Sequence, residues 1–154
     1  MAGLTELEDL NLASTAVGDA GLTHLTSLTK LTALDLSRTA VTDKGVAHLK
    51  TLTGLQELNL GRTKVTDAGL SELEGMTNLV ELTLDRTEVT DHGLERVAGL
   101  NRLTTLSLDR TKVTDDAVAR LQLHRANQQA EQAAAVKAGT QPAQATIPAL
   151  DIVR

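Results

Sequence analysis

Leucine recurs in this chain with a fixed period of 24 residues. Leu7, Leu31, Leu55, Leu79 and Leu103 form one column, Leu10, Leu34, Leu58, Leu82 and Leu106 a second, and Leu12, Leu36, Leu60, Leu84 and Leu108 a third. A strict repeat of this length means one small supersecondary unit stacked on copies of itself, each burying against its neighbours an apolar face that it cannot bury alone. Surface recognition is therefore the leading class of function, ahead of chemistry in a cleft.

Two spacings follow one another within a unit such as Leu55 to Asn78. Leu58 and Leu60 alternate with polar residues, the period of a short strand with one buried face. Thr63 and Val65 follow in a turn, and Leu70, Leu73 and Met76 then recur at helical spacing after Asp67. Each unit reads as strand, turn, short helix and return. Stacking such units sets the strands in a parallel sheet with the helices behind it, an α/β class.

The core of such a stack is purely aliphatic, because the chain has no Phe, Tyr or Trp. Without Cys there is neither a disulfide framework nor a thiolate metal site. The net charge of −5 disfavours general nucleic-acid binding, which needs a basic footprint. No apolar run approaches the roughly 18 to 20 residues that span a bilayer, and Met1-Ala2-Gly3-Leu4 lacks the basic and apolar regions of a signal peptide. A soluble, cytoplasmic protein without a nucleic-acid or membrane partner is expected.

The pattern LxxLxLxxT followed by xVTDxGLxxLxxL resembles the leucine-rich repeats, in a 24-residue bacterial form, over residues 1 to about 121. Its VTDxGL half is similar to the ITDxGL half of the cysteine-containing repeats of F-box substrate receptors. Thr15, Thr39, Thr63, Thr87 and Thr111 stand where those repeats carry Cys and many others Asn. No F-box accompanies them, so a ubiquitin-ligase role does not carry over. The resemblance implies a right-handed solenoid of about five repeats, a horseshoe arc with the sheet on the concave face and short helices on the convex face. It also implies a usual role in protein recognition.

Several columns look functional but read as scaffold. Asp19, Asp43, Asp67, Asp91 and Asp115 each precede a helical stripe and are expected to be N-caps. A calcium ladder is the poorer reading, since one carboxylate per unit does not converge on a point. The threonine column is expected at the strand-to-turn corner, bonding the neighbouring repeat's backbone. Gly21, Gly45, Gly69 and Gly93 lie in the first helical turn, where glycine is locally unfavourable, and are expected to permit close approach between repeats. Ala117 takes this position in the last unit, expected because no further repeat packs beyond it. His24 and His48 are equivalent in adjacent units, but the next equivalents are Glu72 and Arg96, so they read as exposed helix residues. No metal site, no cofactor and no catalytic residues are expected, for no nucleophile–base set or phosphate-cradling glycine loop occurs.

The polar strand positions face the concave side in this architecture. Across the units they read Asp9, Ala33, Glu57, Glu81 and Thr105, then Asn11, Asp35, Asn59, Thr83 and Ser107, then Ala13, Ser37, Gly61, Asp85 and Asp109. A fourth line, at the strand's end, is Ser14, Arg38, Arg62, Arg86 and Arg110. Four arginines thus stack at the strand spacing of about 4.8 Å, and like charges that close repel. Asp85 and Asp109 are expected to neutralise Arg86 and Arg110, leaving Arg38 and Arg62 freer. The candidate binding surface is this row together with Asp35, Asn59, Glu57, Glu81, Asp85 and Asp109. The expected partner is a protein or peptide that is acidic where it meets the row. Strong interfaces lean on Trp and Tyr as well as Arg, so an aromatic-free surface implies modest, salt-sensitive affinity.

At the ends, Met1 to Glu6 aligns with Val97 to Arg102, so residues 1–6 read as the end of a preceding repeat, and the chain either as part of a longer array, the favoured reading, or as one whose start codon is assigned too late. The register fails after Leu121. Residues 122–139 are rich in Ala and Gln and are expected to continue the last helix from Asp115 toward Gly139, with a thin, weakly associating apolar stripe. Residues 140–154, with Pro142 and Pro148, are expected to be an extended or disordered tail. The leading function is a non-enzymatic interaction module. Its alternatives are a regulatory or targeting segment of a larger multidomain protein or enzyme, and a structural array that self-associates end to end through open solenoid ends.

Overall fold

Each strand is three residues long, centred on a leucine of the second column: β1 Asp9–Asn11, β2 Ala33–Asp35, β3 Glu57–Asn59, β4 Glu81–Thr83 and β5 Thr105–Ser107. The computed structural model describes residues 4–138 and 147–154. Pairing is parallel and one repeat out of phase, with Leu10 opposite Leu34, Leu34 opposite Leu58, Leu58 opposite Leu82 and Leu82 opposite Leu106. From the second unit onward both leucines of each Leu-x-Leu segment are buried. Behind the sheet lie α1 Asp19–Leu22, α2 Asp43–Val46, α3 Asp67–Ser71, α4 Asp91–Val97 and α5 Asp115–Lys137. Leu22, Val46, Leu70 and Leu94 from the first four helices are buried in the same aliphatic core. The architecture is the expected α/β solenoid, an open parallel sheet backed by short helices. Among the described residues no helix is long and apolar enough to cross a membrane.

The aspartates do not cap their helices. Thr42, Thr66 and Thr90 hold the N-cap position, each hydroxyl accepting from the N–H two residues on, at Lys44, Ala68 and His92. The following aspartate is the first helical residue, and its carboxylate serves the next unit. Asp19 accepts from the Thr42 N–H at 2.8 Å and its hydroxyl at 2.7 Å. Asp43 does the same with Thr66, Asp67 with Thr90 and Asp91 with Thr114. A threonine hydroxyl can donate to the carboxylate while its lone pair receives the helix N–H, so one Thr-Asp dipeptide caps its own helix and joins two neighbours.

This joint accounts for the glycines. A Cβ at Gly45 would stand 2.5 Å from Asp19 Oδ1, at Gly69 2.6 Å from Asp43 Oδ1, and at Gly93 2.3 Å from Asp67 Oδ1. Close approach between repeats is the reason at Gly45, Gly69 and Gly93, and it is approach to the preceding unit; a Cβ at Gly21 would meet only Val17 of its own unit, at 3.1 Å. A missing repeat beyond Ala117 therefore does not explain the alanine, since the glycines of this column make room for the unit before them. In the last unit the cap shifts instead: Thr114 accepts from the Ala117 N–H, three residues on, while both Asp91–Thr114 bonds persist.

The C-terminal end is closed by the chain itself. In α5, Ala117, Leu121 and Arg125 are buried. The Arg125 guanidinium donates to the carbonyls of Leu100, Asn101 and Leu103 in the loop before β5. Residues Asp151–Val153 form a sixth strand, β6, parallel to β5 with Ile152 opposite Leu106. Gln129 and Gln132 hold the backbone of Ile147, and Leu150 and Ile152 pack against the core. Arg154 pairs with Asp115, the one aspartate of the column that has no following threonine. Residues 151–153 of the tail are thus extended, as a strand, and the helical extension is anchored by a buried arginine that an apolar-stripe reading passes over. The expected stop at Gly139, tail residues 140–146 and residues 1–3 lie outside the described residues.

Burial alone would raise the Asp19 carboxyl, but the hydrogen bonds from Thr42 outweigh it and hold its pKa below the ordinary aspartate value. The Thr114 N–H and hydroxyl do the same for Asp91. A carboxyl that binds its proton more weakly folded than unfolded stabilises the fold fully above about pH 4, and that stabilisation is lost as the pH falls through the folded-state pKa. The stability difference between wild type and Asp19→Asn, from urea unfolding, should therefore shrink between pH 7 and pH 3; a difference independent of pH would contradict the joint. Gly93→Ala should destabilise by about 2 to 3 kcal/mol. In an Asp67→Ala background the same change should cost less than about 1 kcal/mol, a coupling that a double-mutant cycle measures. Strictly additive losses would rule out the carboxylate as the obstacle.

Candidate functional site

Each strand leads into a turn that closes on the next threonine of the column. Its third residue is held at positive φ, 58° at Ser14, 56° at Arg38, 58° at Arg62, 55° at Arg86 and 54° at Arg110. This is left-handed backbone that favours Gly or Asn, and a residue with a Cβ there is disfavoured by roughly 1 to 2 kcal/mol. Two sets of bonds enforce it. The Arg38 N–H donates to Gly61 O at 2.9 Å, Arg62 to Asp85 O at 2.7 Å and Arg86 to Asp109 O at 2.7 Å, carrying the inter-repeat ladder past the strand. The Thr39, Thr63 and Thr87 hydroxyls donate to the carbonyls of Leu36, Leu60 and Leu84 across the turn. The threonine column thus bonds its own repeat, not the neighbouring one as its position had suggested. The arginines sit in the turn beyond the strand, with backbone fixed and side chains exposed.

Their charges are unevenly compensated. Asp109 Oδ2 lies 4.0 Å from Arg86 Nε and 3.7 Å from Arg110 Nε, so one carboxylate serves both. Asp85 does not pair with Arg86 as expected: its Oδ1 accepts from the Ser107 hydroxyl at 2.6 Å and the Asp109 N–H at 2.9 Å. Among the described residues no ion pair forms at Arg38 or Arg62. Arg38 first, and then Arg86, push the Arg62 pKa down from its ordinary value, as adjacent like charges do. The guanidinium nevertheless stays charged at any physiological pH.

The other candidate residues divide into brace and surface. Asp35 accepts from the Ser37 N–H at 2.8 Å, and Asn59 from the Gly61 N–H at 3.0 Å, so both stiffen the turn. Glu57 and Glu81 are exposed on the open face, where with Asp9 and Asp35 they line a shallow depression of about 230 Å³. The concave face therefore has an acidic floor beside a basic rim. A larger cleft of about 380 Å³ lies between α4 and α5, lined by Leu94, Ala98, Leu121 and His124 among others, and none of the candidate residues borders it. His24 is exposed and His48 half-buried, and among the described residues no group of three or more potential ligands converges on a metal position. Sequence reasoning missed two features here, the left-handed turn and the missing side chain at Gly61 in the column that ends in Asp85 and Asp109. The second was visible as the smallest member of the line Ala13, Ser37, Gly61, Asp85, Asp109.

The repeat pattern is matched by a family described as Leucine Rich repeat over residues 4–25, 27–50 and 47–73. The protein is built of leucine-rich repeats and folds as a leucine-rich-repeat solenoid. Among solved structures it is similar to an internalin, InlF, from Listeria monocytogenes, at 30% identity and a TM-score of 0.67, over 77% of this chain and 33% of that one. It is also similar to internalin C2 from the same organism, at 30% identity and a TM-score of 0.66, over 78% of this chain and 50% of that one. The chain thus spans a third to a half of the length of these relatives. No curated protein matches it.

Because the left-handed turn disfavours a Cβ, Arg38→Gly should stabilise the fold by about 1 kcal/mol. Thr63→Val, which keeps the shape of a buried side chain but removes its donor, should destabilise by about 1 kcal/mol. Urea midpoints check both, and a loss of stability in Arg38→Gly would mean that the arginine side chain itself supports the turn.

Proposed function

We propose that this chain is a non-enzymatic recognition module that binds a protein or peptide segment along its concave face, with the arginine row as the anchor for acidic groups. The observation that carries this reading is the row itself. Four arginines occupy a position where glycine is conformationally better, their charges repel, and Arg38 and Arg62 have no carboxylate partner among the described residues. Folding gains nothing from that arrangement, whereas binding an anion does. Leucine-rich-repeat domains are generally interaction scaffolds, in keeping with this role. The net charge of −5 and the floor of Asp9, Asp35, Glu57 and Glu81 confine the attraction to the row, within a screening length of roughly 8 Å at physiological salt. The acidic part of a partner therefore meets the rim, and neutral or basic parts cross the floor.

A second reading makes the module a targeting segment of a larger protein. It is favoured by the length of the internalin chains, of which this chain covers 33% and 50%. End-to-end self-association is a third reading: β6 covers β5, and β1 and β6 are the edges through which it would occur. The 24-residue period and the VTDxGL half-repeat support a bacterial type of repeat akin in that half to the F-box receptor repeats.

Peptides selected from a displayed random library, with affinity then measured by fluorescence polarisation, test the proposal. The best binders should be acidic, should weaken as salt rises, and should lose about tenfold or more in affinity with Arg38→Ala plus Arg62→Ala. Binders that ignore both salt and the double substitution would sink it.

A further inference from the structure

The Asp109 carboxylate lies between the guanidiniums of Arg86 and Arg110. Its place is set by register. The residue before each arginine accepts, through its backbone carbonyl, the N–H of the arginine one unit earlier, so it stands between the two. Arg86 donates to Asp109 O in this way, and Arg38 donates to Gly61 O. Gly61 is therefore the counterpart of Asp109 between Arg38 and Arg62. One end of the row carries a built-in anion at this position, and the other end has no side chain there at all.

We propose that the gap over Gly61, between Arg38 and Arg62, is an oxoanion site that takes a phosphoryl group borne by a peptide partner. The inference rests on the recognition role proposed above. The backbones of Arg38 and Arg62 lie one strand spacing apart, about 4.8 Å, so their flexible side chains can close on one tetrahedral group. A phosphoryl monoester carries close to two negative charges at neutral pH and three acceptor oxygens, which match two cations better than a single carboxylate does. The Gly61 N–H is already committed to Asn59 Oδ1, so recognition falls to the arginine side chains. The acidic floor selects against a polyanion such as a nucleic acid, because Glu57 and Glu81 lie beside the same units. A single phosphoryl group on an otherwise neutral or basic segment is not repelled in this way, and basic side chains of that segment would meet the floor.

The test fills the gap from within. Gly61→Asp supplies the carboxylate that Asp109 supplies at the other end, and Gly61→Ser is its control. Ser37 already occupies the equivalent position with the equivalent turn bond to Asp35, and the nearest atom to a Cβ at Gly61 is Asn59 Oδ1 at 3.1 Å, so both variants should fold. The probes are a Lys-Gly-phosphoserine-Gly-Lys peptide, the same peptide with Glu for phosphoserine, and inorganic phosphate, each followed by the Nε–H resonances of the arginines. The expected result is a saturable shift at Arg38 and Arg62, with the phosphopeptide bound about tenfold more tightly than the Glu peptide. Gly61→Ser should bind within about twofold of wild type, and Gly61→Asp should bind at least about tenfold more weakly. No saturable shift at Arg38 and Arg62, or unchanged binding in Gly61→Asp, would overturn the proposal. Inorganic phosphate binding as tightly as the phosphopeptide would overturn the assignment to a peptide. If library-selected acidic peptides still need Arg38 and Arg62 while phosphorylation adds no affinity, the phosphoryl site fails and the recognition role stands; if neither class binds, both fail.

Discussion

Each unit of this solenoid is locked to the next by an aspartate carboxylate that receives two hydrogen bonds from a threonine one repeat later. Leucine burial drives the stacking, but it is non-directional and tolerates slippage between apolar surfaces. The charge-assisted bonds have a defined direction and length, so they hold the helical side at the register that the sheet sets on the other. The same joint determines composition. It needs a threonine that can cap and donate at once, an aspartate on the first helical residue, and a glycine with no Cβ to collide with the incoming carboxylate. Three columns of the repeat thus follow from one interaction.

The surface depends on this rigidity. A left-handed turn in a non-glycine residue persists only where its surroundings over-determine it. Here the inter-repeat N–H···O bond and the threonine hydroxyl do so in unit after unit. Because the turns are held, the arginines project from fixed points one repeat apart, and only their side chains can move to relieve the repulsion. A repelling row on a stiff frame favours an anion, since folding has already fixed the backbone and leaves only the side chains to be ordered on binding. The acidic floor beside it turns the face into a polar gradient, which can orient a partner as well as attract it.

At the C-terminal end the chain supplies from its own sequence what another repeat would have supplied. Arg125 takes the loop carbonyls, β6 takes the sheet edge, and Arg154 takes the last aspartate. None of these carries the leucine period, which is why periodicity reads the segment as an appendage. The short run Leu150-Asp151-Ile152-Val153 has the apolar content of a strand, but only an edge waiting at β5 makes it one.

What the sequence determined by itself was the architecture: the period of 24, the alternation at Leu58 and Leu60 and the helical spacing of Leu70, Leu73 and Met76 specify stacked strand–helix units without coordinates. It also placed the arginine row and the acidic positions on one face, because register in a parallel stack is the repeat itself. Tertiary structure decided which partner each polar group takes. Asp43 could have capped its own helix or bonded the next unit, Thr63 its own strand or its neighbour, and Asp85 an arginine or a serine. Such choices turn on distances of a few tenths of an ångström between atoms far apart in sequence, and hydrogen bonds weaken steeply over that range. A repeat pattern states that these groups are near one another. Only the packed backbone decides which of them touch, and among the described residues it leaves Arg38 and Arg62 without the carboxylate that Asp109 supplies to Arg86 and Arg110.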